Sequence, residues 1–197
     1  DCAMAYWGMA MANLNNTKRS KVFMEEAEKR KEGVSDVERR FIDAMSAYQK
    51  ADPAKKKERA EKYTKALEDI CIRYPKNAEA KAFLALQLWS NRYSDIPITS
   101  YVAIDSILQQ VFALNPKHPS HHYRIHLWDY KDAATAVSSA SICGQTTPGI
   151  AHMWHMPGHI FSRLKRYDDA VWQQEASART DHAHMMRDRL LPDQIHN

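Results

Sequence analysis

Histidine is the residue type whose spacing in this chain points most directly to chemistry. All ten histidines lie at or beyond position 118, and the segment HMWHMPGH (152–159) holds three of them. His152, His155 and His159 follow one another at intervals of three and four, which places them on one face of a helix. Neutral imidazole is a common ligand of divalent transition metals. This concentration predicts a local function in the later part of the chain.

A second stripe of polar residues, HHYRIHLWD (121–129), lies earlier in the chain. His122 and His126 are four residues apart and Asp129 lies three further on, so all three share a helical face. Two neighbouring helices that each carry such a histidine pair can converge four nitrogen atoms on one zinc, copper or iron ion. Asp129 is expected to be a further ligand or to fix the tautomer of one imidazole. The predicted metal ligands are His122, His126, His155 and His159.

Other interpretations of these histidines stay open. Paired histidines between helices can satisfy one another through water in a buried polar network without metal, or they can line a peptide-binding surface.

Pro157 removes one helical hydrogen bond, so it predicts a kink between His155 and His159. Nearby methionines would favour copper, although methionine at helical spacing more commonly fills a core. These methionines are Met153, Met156, Met185 and Met186.

The segments that must position the histidines have the composition of helices. The chain contains only five glycines, and no segment alternates apolar and polar residues with a period of two. Ser35 and Glu38 form a capping box that begins one helix, and Gly33 can end the helix before it. Asp52-Pro53 offers an N-cap followed by proline at the first helical position. These signals predict an all-α fold of about ten short helices, paired as antiparallel hairpins.

A repeat signature coincides with the segment HMWHMPGH. Large, small and aromatic residues on one helix are followed by small residues on the next, at the offsets of the tetratricopeptide signature. Small residues at these places let two helix backbones approach closely. The signature residues are Trp154, Gly158, Phe161, Ala170 and Ser177, and Gly8, Ser20 and Ala27 repeat the small-residue offsets near the N-terminus.

Three longer blocks carry a family resemblance. AYWGMAMAN (5–13), HHYRIHLWDY (121–130) and GIAHMWHMPGHIFSRLKRYDDAVWQQEASARTDHAHM (149–185) resemble a group of bacterial tetratricopeptide-repeat proteins that pair an HxxIH element with a later HMPxHI element. The resemblance implies helix hairpins stacked as an α-solenoid. It also implies that certain positions of each first helix line a concave groove. In the repeat that contains Trp154, these positions are His152, His155, His159, Ser162 and Arg163.

The predicted organisation is one solenoid in two parts. Residues 1–117 form tetratricopeptide-like repeats without histidine, and residues 118–197 form histidine-rich repeats of the same solenoid. The chain opens on DCAMAYWG, which is already helical and has no initiator methionine, and it stops at DQIHN without a helix-ending signal. We therefore expect a piece of a longer protein, and no compartment is predicted.

The leading functional hypothesis is a binding or scaffolding module with a histidine-lined, metal-binding groove and a protein or peptide ligand. The alternative is a metal-dependent enzyme that uses the same histidines, with Glu175 or Asp129 as general base. An open coordination position would favour the enzyme, and a closed four-ligand site would favour a structural metal. Without a metal, no cofactor is expected. Besides the metal ligands, the predicted groove residues are His152, Asp129, Ser162 and Arg163.

Composition argues against a nucleic-acid partner and against membrane insertion of this segment. The 28 basic residues are interspersed with 24 acidic ones, as in KRSKVFMEEAEKRKE (18–32), which is typical of solvated helix faces. The basic run KKKER (55–59) has no interleaved aromatic residue. No apolar run reaches the length of a membrane span. GxSxG, HExxH, P-loop and dinucleotide motifs are absent, so the familiar hydrolase, NTPase and dehydrogenase classes lack support.

Overall fold

Helices account for all the regular secondary structure that the structure describes. The computed structural model describes residues 2–188, with the side chain of residue 188 excepted, and this range contains no β-strand. The predicted all-α fold is confirmed. The helices are α1 (Ala3–Ala12), α2 (Thr17–Lys29), α3 (Asp36–Lys50), α4 (Lys56–Arg73), α5 (Ala78–Ser90), α6 (Tyr101–Leu114), α7 (His121–Trp128), α8 (Val137–Thr146), α9 (Ala151–Arg163) and α10 (Tyr167–Asp188).

The chain divides into two compact units, Asp1–Thr99 and Ser100–Asn197. In the first unit α1 packs on α2, and α4 packs on both α3 and α5. In the second unit α7, α8, α9 and α10 pack successively on one another, and α7 also contacts α9. The boundary predicted from histidine content, between residues 117 and 118, falls inside the second unit between α6 and α7. A single solenoid divided at that point stays a prediction.

Local hydrogen bonds explain where α3 and α4 begin. The Glu38 backbone N–H donates to Ser35 Oγ at 3.5 Å, and the Ser35 N–H donates to Glu38 Oε2 at 2.9 Å, so the predicted capping box is present. The prediction that α4 begins at Pro53 is wrong, because this helix begins at Lys56. Asp52 Oδ1 instead accepts from the Ala54 N–H at 2.9 Å, a short-range bond that favours a turn over a helix.

The core of the first unit is built around three aromatic rings. Trp7, Phe41 and Phe83 form a triangle with ring centroids 5.1 to 5.8 Å apart. The Trp7 indole N–H also donates to the Phe41 carbonyl at 3.1 Å, so its polar atom is satisfied. Ser20, a predicted small-residue position, is buried and donates to the Ala10 carbonyl at 2.8 Å. Close approach of α1 and α2 therefore depends on a small residue, as the repeat offsets predict.

Three signature residues of the later repeat, Phe161, Ala170 and Ser177, are buried in the second unit. Phe161 and Ala170 belong to the buried apolar cluster of the second unit. Ser177 is fully buried and donates to the Ala151 carbonyl at 2.8 Å. The hairpin that carries HMWHMPGH is thus held by the small and aromatic residues that the signature marks. Among the described residues, no helix is both long and apolar enough to span a bilayer.

Enlarging Ala170 is expected to destabilise this hairpin. Ala170→Leu would overpack a well-filled interface and should lower the free energy of unfolding by about 1 to 3 kcal/mol. Urea unfolding would measure the loss. Val171→Leu is the matched control, because Val171 is on the same helix and 58% exposed. Equal stability of the two variants would contradict the assigned repeat register.

Candidate metal centre

A buried ion pair positions α7, which has eight residues and is too short to be stable alone. Arg124 Nε donates to Asp105 Oδ1 on α6 at 2.6 Å, and Trp128 Nε1 donates to the same oxygen at 2.8 Å. The two charged side chains are only 8% and 15% exposed. Burial raises the pKa of Asp105, but the hydrogen bonds from Arg124 and Trp128 outweigh it and bring the pKa below its usual value. These contacts anchor one face of α7 to α6.

Two of the ten histidines have structural roles in the α6–α7 connection. The His121 ring stacks on Phe112 with centroids 3.8 Å apart, and its Nε2 donates to the Pro116 carbonyl at 3.0 Å. His118 Nδ1 accepts from the Ser120 backbone N–H at 3.1 Å. Burial lowers the pKa of His121 and so favours its neutral form. Both residues are buried and hydrogen-bonded, and neither belongs to a group that reaches metal-binding spacing.

Three other histidines form a compact group where α7 faces α9. One nitrogen atom each of His122, His126 and His152 lies within 4.8 Å of the other two. Their ring centroids are separated by 4.6, 5.0 and 6.4 Å. Nitrogen ligands of a tetrahedral zinc ion lie about 3.4 Å apart, so small ring rotations would bring all three to one ion. In the described part of the chain, no other group of three histidine, cysteine or acidic side chains reaches this spacing.

His122 is the deepest member of this group. Its Nε2 atom is buried and has no hydrogen-bond partner among the described residues. Burial, with smaller contributions from the neighbouring His126 and His152, lowers the pKa of His122 to about 3. The ring is therefore neutral at physiological pH, the form that binds metal. A buried polar atom without a partner costs about 1 to 3 kcal/mol, a cost that coordination would remove.

His155 and His159 form a hydrogen-bonded pair further along α9, and the His155 ring stacks beside His152 with ring centroids 5.7 Å apart. The His155 carbonyl accepts from Gln174 Nε2 at 3.3 Å, which fixes the orientation of the Gln174 amide. Gln174 Oε1 then accepts from His155 Nδ1 at 2.8 Å. His155 Nε2 is consequently the acceptor of a 2.9 Å hydrogen bond from His159 Nε2. The structure thus brings the predicted ligands His122 and His126 together with His152, and brings His155 and His159 together with each other.

No sequence pattern marked Gln174 on α10. In the structure its amide bonds to His155, in space that Gly158 leaves free. A Cβ atom on Gly158 would lie 2.2 Å from Gln174 Nε2, so only glycine leaves room for this amide to reach His155. Helix α9 continues through Pro157 from Ala151 to Arg163. The Pro-Gly pair therefore lies inside the helix, beneath the side chain that fixes the His155 tautomer.

The Asp129 carboxylate lies between Arg163 and His159. Its side chain is 4% exposed and accepts a short hydrogen bond from Arg163 Nε, while its other oxygen lies 3.5 Å from His159 Nδ1. The Arg163 guanidinium also lies over the Tyr130 ring, 3.9 Å from its centroid. Asp129 lies beside His159, is held by Arg163, and does not belong to the group that reaches metal-binding spacing. Arg163, His159 and the exposed Ser162 line an open cleft of about 470 Å³.

The other predicted participants lie elsewhere. Glu175 is 58% exposed and pairs with Arg179 at 3.1 Å, as expected of a solvated helix face. Met153 and Met156 are buried in the apolar cluster. Met186 is exposed. The two buried methionines therefore fill the core, which weakens the sequence-based argument for copper.

Because of His122, the second unit is expected to become less stable as the pH falls. Its folded-state pKa of about 3 lies below the ordinary 6.5, so the unfolded chain binds more protons between these values. Stability contributed by neutral His122 is present above pH 6.5 and is lost as the pH falls, by up to about 1.4 kcal/mol per pH unit. Metal-free wild type and His122→Asn would be unfolded in urea at pH 6.5 and 5.0. Equal pH dependence of the two proteins would contradict the burial of a neutral imidazole.

Comparison with known proteins supports the fold. No protein-family profile matches the chain, and no curated protein sequence matches it. Among solved structures, the chain is similar to MamA (MamA MSR-1 C2), a tetratricopeptide-repeat protein, with a TM-score of 0.55 and 14% identity. The similarity covers 92% of this chain and 97% of that one. The tetratricopeptide-like helical fold is thereby confirmed. Membership of the bacterial histidine-rich group stays a prediction.

Proposed function

We propose that this protein is a tetratricopeptide-like binding module whose second unit holds one divalent transition metal ion through His122, His126 and His152. The observation that carries the proposal is the buried Nε2 of His122, which lacks a hydrogen-bond partner among the described residues and lies beside two further imidazoles. Burial keeps His122 neutral, and neutral imidazole is the ligating form. The metal-free site therefore already holds His122 in the protonation state that binds metal.

Zinc is the ion that these ligands suit best. Three imidazoles with no thiolate or thioether favour zinc over copper(I), because Met153 and Met156 are buried in the core. Iron(II) sites commonly combine two histidines with a carboxylate, but Asp129 is bound to Arg163. Copper(II) would compete with zinc on affinity alone, so copper and iron are the comparison ions in any titration.

A binding role accounts for the surroundings of this site better than catalysis does. Three protein ligands with an open fourth position also occur in catalytic zinc sites. A hydrolytic site would need a base near the bound water, however, and Glu175 is exposed and paired with Arg179. The fold and the open cleft beside Arg163 support a protein or peptide ligand. We therefore prefer a metal-containing binding module to a metal-dependent enzyme.

Zinc titration of chelator-treated protein tests the proposal, with His152→Ala and His155→Ala as matched variants on the same helix. Wild type should bind one zinc ion per chain. His152→Ala should weaken binding by at least about 100-fold, because losing a ligand costs more than losing an outer hydrogen-bond partner. His155→Ala should retain affinity within about tenfold. The opposite ranking would favour the four-histidine set predicted from the sequence, and a wild type that binds no metal would end the proposal.

A further inference from the structure

The proposed metal ligands bring no negative charge. His122, His126 and His152 are coordinating imidazoles, and coordination requires the neutral form of each. A divalent ion held by these three rings would keep both of its positive charges. A tetrahedral zinc ion takes four ligands, so one position would remain for a group from outside this cluster.

The carboxylates that contact α7 or follow it in the chain have other partners. Asp129 is bound by Arg163, and Asp105 is bound by Arg124 and Trp128. Asp132, in the loop after α7, accepts from Thr135 Oγ1 at 2.7 Å. None of these acids belongs to the three-residue group that reaches metal-binding spacing in the described part of the chain. The protein thus offers the metal no counter-charge at that spacing.

The site is partly desolvated and still open to a ligand. His122 Nε2 is buried, whereas His126 and His152 are each partly exposed. An uncompensated charge in a partly buried position is costly, and an anionic ligand relieves this cost. A ligand from outside would approach the metal past these two partly exposed residues.

We propose that the metal-loaded site binds a carboxylate at the fourth coordination position, so that the module recognises this group only when metal is present. The inference rests on the proposed metal site and names the ligand class that completes it. A free small acid and an acidic group of a protein partner share this chemistry. The carboxylate oxygen replaces a bound water molecule, and no covalent bond of the ligand is broken.

Cobalt(II), whose visible absorption reports its coordination, provides the test. The full chain is loaded with cobalt and titrated with acetate, with a capped peptide containing one glutamate, and with the same peptide containing glutamine. We expect saturable spectral changes with acetate and the glutamate peptide, and none with the glutamine peptide. Binding of the glutamate peptide at least tenfold tighter than that of acetate would assign the ligand to a protein partner, and equal affinity would assign it to a small acid.

Two controls separate this inference from the metal site on which it rests. If cobalt produces no spectrum with wild type, the metal site itself fails. If cobalt binds but neither acetate nor the glutamate peptide alters the spectrum, the fourth position is closed and the carboxylate proposal alone is overturned. Equal binding of the glutamate peptide to metal-free protein, measured by calorimetry, would also overturn it, because the carboxylate would then bind elsewhere, such as at Arg163.

Discussion

Replacing Arg124 by methionine is expected to lower the free energy of unfolding of the second unit by about 3 to 5 kcal/mol. The substitution would leave the Asp105 carboxylate largely buried without its cation, although Trp128 would still donate to it. Because this ion pair anchors α7 to α6, loss of the pair should also weaken metal binding. Urea unfolding monitored by tryptophan fluorescence would measure the effect, since the second unit contains Trp128, Trp154 and Trp172.

Arg166→Met is the matched control for this prediction. Arg166 also pairs with an aspartate, Asp169, at 2.7 Å, but both side chains are nearly half exposed. Exposed pairs contribute about 0 to 1 kcal/mol, so this variant should be almost as stable as wild type. If Arg124→Met lost no more stability than Arg166→Met, the buried pair would not be what holds α7 in place.

Alanine variants of His122 and His152 are expected to be strongly coupled in zinc binding. Each single substitution removes one ligand and should reduce affinity by at least about 100-fold, more than the loss of an outer hydrogen-bond partner. Removing both should add less than about tenfold, because residues that serve one site do not act independently. Competition with a chelator of known affinity would give the zinc dissociation constants of the two single variants and the double variant.

His182→Ala controls for unspecific binding by histidine-rich protein. His182 is exposed on α10, and its removal should leave zinc affinity unchanged. Additive losses for His122→Ala and His152→Ala, with a similar loss for His182→Ala, would indicate several weak sites in place of one shared ion. The buried-network interpretation without metal predicts losses of stability only, with no dependence on added zinc.

Local signals predicted the helices well, because a helix depends mainly on residues close in sequence. The Ser35–Glu38 capping box and the small residues at Ser20, Ala170 and Ser177 lie where their offsets require. The start of α4 could not be read from Asp52-Pro53 in the same way. There the Asp52 side chain bonds a nearby N–H, and this competing turn delays the helix.

Helical spacing grouped the histidines by face but could not determine which of them meet across helices. Which histidines meet depends on how far α7 is shifted along its axis relative to α9. Two contacts between residues distant in sequence contribute to this position: Arg124 with Asp105, and Arg163 with Asp129. His152, predicted as a groove residue, consequently lies with the α7 pair. The role of Gln174 was also unpredictable, because it depends on the packing of a third helix over Gly158.

X-ray absorption at the zinc K-edge of the stoichiometric zinc complex tests the three-histidine centre most directly. We predict one zinc ion per chain with three imidazole nitrogens at about 2.0 to 2.1 Å and one oxygen ligand. The His152→Ala variant should have one imidazole ligand fewer on zinc, and the His155→Ala variant should have the same number as wild type. A first shell of four imidazoles, a shell that contains sulfur, or a wild-type protein that binds no zinc would contradict the account.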